Sequence, residues 1–258
     1  MRRINPTAAV LALALSGAPA LVGTPAAAAQ PPLSPKNYGV GALCSAPAPG
    51  RAACFGLALV ARAPLSLPGA RALAAPAGAS RRVPSTEFKT PLGGLTPAQL
   101  RGAYGLAEVP APSPTQTIAI VDAYDDPTAE ADLATFSTQF GLPSCTEAEG
   151  CFRKVNEEGH ASPLPAWKGR SEERGWAMEI ATDIDTSHAV CPSCHILLVE
   201  AKGPSDIDLF AAENSAAGLG ANEISNSWGG SEPPQDNAAF DHPGIAITAS
   251  SGDSGYLN

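Results

Sequence analysis

The chain is short of charge, of methionine and of long apolar runs. Only 16% of its 258 residues are Asp, Glu, Lys or Arg, too few for a disordered polyelectrolyte. No apolar run approaches the roughly 18–20 residues that a membrane-spanning helix needs, so no membrane partner is expected once a leader is removed. Methionine occurs twice, as Met1 and Met178, which bears on a cysteine motif below. What is present is a 44% apolar chain, long enough for one folded, soluble domain with an extension.

The two ends differ in which charge they lack. Residues 1–104 hold one acid, Glu87, against ten Lys or Arg, a net of +9; residues 105–258 hold six Lys or Arg against 24 acids, a net of −18. The acidic body argues against nucleic acid as a partner, and the basic leader is suited to sit on it. Charge-driven docking of this kind weakens with salt.

The leader begins as an export signal over 1–29, with Arg2 and Arg3 at a positive start, Ala8–Leu15 as the apolar stretch and Ala27–Ala29 as a small-residue cleavage site. The expected location is secreted and extracellular, an oxidising setting in which six cysteines pair. Spacing favours Cys44 with Cys54, Cys145 with Cys151, and Cys191 with Cys194. Residues 1–116 hold 17 of the 26 prolines, and Pro64–Pro84 reads as linker. The expected division is signal 1–29, leader and linker 30–116, and body 117–258.

Within the body, Thr117–Val121, His195–Val199, Glu223–Ser227 and Gly244–Ala249 read as strands. Helices are expected from Asp125 to about Phe140, Ser171 to His188 and Ser205 to Leu219. Before them, Thr96 is placed to cap a short helix with Pro97 at its first position. Apolar strands alternating with helices predict an α/β fold, a doubly wound parallel sheet with helices on both faces and ligands at the carboxyl ends of the strands.

Several residue groups bear on chemistry. Glu179 and Asp183 are four apart, on one helix face, where like charges repel by a few tenths of a kcal/mol. The spacing alone is compatible with a solvated face. Ala177, Met178, Ile180, Ala181 and Ile184 argue instead for a buried helix, in which two acids titrate as one coupled unit suited to acid–base work. Ser250–Gly255 is a turn by composition, placed after a strand where ligands gather. Its Gly252-Asp253-Ser254-Gly255 run is shared with the nucleophile loop of chymotrypsin-like proteases. Those are β-barrels with an upstream base histidine, and none of His160, His188, His195 and His242 lies in that setting. Cys191-Pro192-Ser193-Cys194-His195 fits the haem-attachment pattern; with Met178 as the one methionine left after the signal, and His195 opening a strand, a disulfide is the expected state. Asp122 ends a strand where subtilisin-like enzymes carry a triad aspartate. With no His-Gly-Thr-His or Gly-Thr-Ser run beside it, it reads first as a strand-end turn residue.

From about Leu95 onward the chain resembles the sedolisins, serine-carboxyl peptidases that share the subtilisin fold, and looks similar to secreted actinobacterial members. The resemblance rests on segments in the family's order: Leu95–Leu100 with Ala103–Leu106, Ile118–Tyr124, Glu179 with Asp183, Ser225–Gly229, and His242–Gly244 leading to Ser251–Gly255. It implies a serine-type endopeptidase acting on peptide or protein substrates at acidic pH. Glu179 matches the general base, Asp183 the acid that orients it, and Asp253 the protonated oxyanion-hole donor; Trp228 and Gly229 match residues of the substrate cleft. Residues 30–116 become a pro-region, the chain's own partner, and 117–258 the amino-terminal part of a peptidase domain.

The sequence departs from that pattern at its end. The family's nucleophile lies in a Gly-Thr-Ser segment beyond the oxyanion aspartate, with its calcium site later still, and neither is among the 258 residues. The expectation is a chain truncated before the catalytic serine, holding no cofactor, forming no acyl-enzyme alone and keeping a raw sheet edge. The alternative is a non-enzymatic secreted pseudo-peptidase or peptide-binding fragment.

Overall fold

The computed structural model describes residues 38–61, 94–112, 115–230 and 238–252. The expected signal peptide, the Pro64–Pro84 linker, Asp253 and Ser254 lie outside them. In chain order the elements are β1 (Tyr38–Ala42), β2 (Ala52–Cys54), β3 (Leu57–Ala61), α1 (Pro97–Ala103), β4 (Thr117–Ala123), α2 (Ala129–Phe140), β5 (Phe152–Asn156), α3 (Ser171–Val190), β6 (His195–Ala201), α4 (Asp206–Gly218), β7 (Glu223–Asn226), β8 (Trp228–Gly230) and β9 (Ala246–Ala249).

Apolar runs at β4 and β6 form the centre of a five-stranded sheet in the order β5-β6-β4-β7-β9, parallel throughout. Because side chains alternate along a strand, Ile120, Ile196 and Leu198 pack with Leu133 of α2 and Ile180 and Ile184 of α3. Ala119, Val121, Leu197 and Val199 face the other way, onto Leu209, Ala212 and Ala216 of α4. Helices thus cover both faces, which is the α/β arrangement expected from the sequence. The strand after β4 goes to one side of it and the strand after β6 to the other, which puts the topological switch point of the sheet at the carboxyl end of β4.

Local signals set the helix ends. Thr96 Oγ1 accepts from the Gln99 amide while Gln99 Oε1 accepts from the Thr96 amide, a capping box with Pro97 at the first position. Ser205 caps α4 through the Asp208 amide. Helix α2 starts at Ala129, later than expected, because Asp126 Oδ1 accepts from both the amide and the hydroxyl of Thr128 and holds that stretch in a turn. Strand β5 was not expected. Only Phe152 and Val155 of its first four residues are buried, with Arg153 exposed, so it lacks a continuous apolar signal. The three disulfides form as the spacing suggests: Cys44–Cys54, Cys145–Cys151 and Cys191–Cys194. The third closes the Cys-Pro-Ser-Cys pair on itself, leaving no thiols for haem.

The described leader residues are built into the fold. β1 and β3 form an antiparallel hairpin, β2 pairs antiparallel with β8, and α1 packs on α3. Ala52 N–H donates to Pro204 O at 2.8 Å. Contact is therefore largely backbone pairing and small-residue packing. Charge enters through Arg51 and Glu172 at 3.2 Å, both nearly half exposed, an arrangement that typically contributes about 0–1 kcal/mol. Among the described residues no helix is long and apolar enough to cross a membrane.

Candidate active site

One stripe of α3 carries Gly175, Glu179 and Asp183 at four-residue spacing, all on one helix face. Glu179 is 6% exposed, so the buried reading of this helix holds, although Met178 beside it is half exposed. Glu179 Oε2 accepts from the backbone N–H of Gly56, in the leader, at 3.1 Å. Asp183 Oδ1 accepts from Ser227 Oγ at 2.9 Å, which ties α3 to the corner between β7 and β8. Burial raises the Asp183 carboxyl to about 6, against the hydrogen bond from Ser227 that lowers it.

Trp228 is buried; its indole Nε1 donates to Val121 O at 2.8 Å, and its ring leans on Phe240, which stacks edge-on with Phe210. Gly229 pairs with Ala53, and a Cβ on it would stand 2.6 Å from the Phe55 ring. The two residues expected to line a cleft are thus covered by the segment Arg51–Gly56. Asp253 lies outside the described residues.

Asp122 corrects the expectation of a turn residue. It sits within β4, fully buried, and neither carboxylate oxygen has a hydrogen-bond donor among the described residues. Burial pushes its carboxyl well above the usual range, and the charges of Asp183, Glu179 and Glu200 push it further. Next to it in register on β6 is Glu200, also fully buried. Glu200 Oε1 accepts from the Asp126 amide at 2.8 Å and lies 3.5 Å from Lys154 Nζ, which itself donates to Asp125 Oδ1 at 2.6 Å. Burial takes Glu200 up to about 9 despite the opposing Lys154. Glu200, Lys154 and Gly56 escaped the sequence reading, and Ser227 entered it only as part of the Ser225–Gly229 segment, with no role. Glu200 did leave a trace, since it is an acid on the inward parity of His195-Ile196-Leu197-Leu198-Val199-Glu200. No such trace marks Gly56.

Among the described residues no three His, Cys, Asp or Glu side chains are arranged to hold a metal ion. His188 lies buried further along α3, bonded to Pro143 O, with its imidazole lowered by burial.

No protein-family profile matches this chain, and no curated protein matches it. Among solved structures, Pseudomonas sedolisin, a serine-carboxyl proteinase complexed with two molecules of pseudo-iodotyrostatin, superposes with a TM-score of 0.40 and 18% identity. The overlap covers 52% of this chain and 34% of that one. This chain thus spans about a third of that protein's length.

Proposed function

We propose that the chain carries the acid–base pair and the peptide-accepting edge of a secreted serine-type endopeptidase of sedolisin kind, working at acidic pH. Glu179 is the general base, Asp183 orients it, and Asp253 serves as oxyanion donor. One observation carries the reading: an extended backbone lies antiparallel to β8 and places an amide on the buried carboxylate of Glu179. A peptide bound along that edge has its backbone beside the acid pair. The chemistry suits acid, because a carboxylate base stays ionised where histidine is protonated. Below pH about 6 Asp183 takes up its proton and relieves Glu179 of a neighbouring charge.

The Gly-Thr-Ser segment of the sedolisin pattern is not among the 258 residues, so no nucleophile is assigned. The same β2–β8 pairing also favours a second reading, peptide binding without cleavage. Incubating the full chain at about pH 4 with a denatured protein separates them. Cleavage lost in Glu179→Gln supports the peptidase, and cleavage kept in that variant removes Glu179 as base. No cleavage, with a bound extended peptide, leaves the binding reading.

A further inference from the structure

Two apolar hollows meet at one guanidinium where α1 packs on α3. The larger has a volume of about 570 Å³ and is walled by Leu106, Val109, Pro112, Pro143, Val190 and Pro192. The smaller, about 340 Å³, lies against Phe140 and Leu142. Arg101 and Pro192 line both. Among the described residues no Asp or Glu lines either hollow, although residues 105–258 carry 24 acids. Arg101 has no carboxylate partner: the ion pairs among the described residues are those of Arg51, Lys154 and Arg170. Its guanidinium donates instead to two main-chain carbonyls, Val190 O at the end of α3 and Leu106 O. A guanidinium carries five N–H donors, so two such bonds leave three donors over.

We propose that this seam is a binding site for a small amphipathic carboxylate, with its head on Arg101 and its apolar body in the larger hollow. Charge complementarity selects the head. The carboxyl end of α3 works against an anion, with about half a negative charge, and Arg101 already occupies Val190 O there. The guanidinium carries a full positive charge, is held in one orientation by its two carbonyl bonds, and suits a carboxylate through paired N–H donors. Attraction therefore wins, and proline and aliphatic walls strengthen it by lowering the local dielectric. Those walls select the body. Their hollow falls within the roughly 300–1,000 Å³ typical of small-molecule sites, and a bare anion would leave its apolar surface in water. The site is separate from the acid pair. Val190 stands seven residues beyond Asp183 on α3, about 10 Å along the axis, and no residue lining either hollow takes part in the proposed peptidase chemistry.

The test titrates octanoate, octanol and acetate into the full chain near neutral pH by calorimetry, with methyl NMR shifts locating the ligand. Octanoate is expected to bind about tenfold more tightly than octanol, the ratio that one charge-assisted hydrogen bond supplies. It should move the Leu106, Val109 and Val190 methyl signals and weaken as salt rises, while acetate gives no measurable heat. Lowering the pH through the ligand's own carboxyl value, roughly 4–5, should remove octanoate's advantage over octanol. Arg101→Gln should bring the two affinities level. Should that variant fail to fold, Val109→Glu decides alone: the position is 53% exposed, and a carboxylate in the hollow should weaken octanoate about tenfold by like-charge repulsion and octanol by less. Equal affinities for octanoate and octanol in the parent chain, no binding of octanoate, methyl shifts confined to other residues, or an octanoate affinity unchanged in Val109→Glu overturns the proposal.

Discussion

Gly175 and Gly56 are the residues on which the leader's seating turns. A Cβ on Gly175 would stand 2.3 Å from the Leu43 carbonyl oxygen, which belongs to backbone and cannot swing aside. Alanine would raise the helix propensity of α3 by about 1 kcal/mol, but overpacking typically costs about 1–3 kcal/mol. Gly175→Ala is therefore expected to loosen the leader rather than tighten the protein, seen as faster amide exchange in β2 with α3 still protected. Gly56→Ala is aimed at the same contact from the other side, since its Cβ would meet Glu179 Oε2 at 2.2 Å. The two variants should loosen the same amides. If β2 exchanges no faster in either, the leader is held elsewhere. Lys154 is the other sensitive residue. Lys154→Met removes the ammonium shared by Asp125 and Glu200, and loss of one partner of a buried pair typically costs about 3–5 kcal/mol. Denaturant unfolding of the variant against the parent chain at neutral pH measures the loss.

At the scale of elements, the antiparallel pairing of β2 with β8 is what covers the candidate site, and the Cys44–Cys54 bond closes the loop that presents it. Opening a loop of this length, with a sequence separation of 10, is expected to cost about 2.5–3 kcal/mol by chain entropy. Replacing both cysteines by serine should therefore release β2 before the sheet unfolds. Because Trp228 is buried beside Cys54, a red shift of indole emission ahead of the main unfolding transition checks this; a single coincident transition counts against it. Element by element, the sequence was readable where a run was long and apolar. β4, β6, α3 and α4 lay where their patterns placed them. β2 and β8 have three residues each, too short for any periodicity, and they exist because each supplies the other's backbone partner.

For the whole molecule, the buried acids set the pH response. Burial raises Asp183 to about 6, Asp185 and Glu213 to about 7, Glu200 to about 9, and Asp122 strongly. A carboxyl with a raised folded-state pKa adds stability that is complete below its unfolded value and lost as pH climbs through the folded one. His188, lowered by burial, works oppositely and loses stability as pH falls below its unfolded value. Five acids outweigh one imidazole, so the melting temperature is expected to be higher at pH 5 than at pH 8. A scan with its maximum at or above pH 7 would falsify that balance.

From the sequence alone came the α/β class, the helix caps at Thr96 and Ser205, the cysteine pairs and the juxtaposition of Glu179 and Asp183. Each depends on residues close along the chain, where spacing and side-chain chemistry decide the outcome. Tertiary structure alone decided that Asp122 is buried beside Glu200 rather than turned to solvent, that Ser227 holds Asp183, and that Gly56 reaches Glu179 from 123 residues away. Those contacts join distant segments through a sheet register and a strand pairing. Their energies depend on burial and on which donors arrive, and neither is written in the order of neighbouring residues.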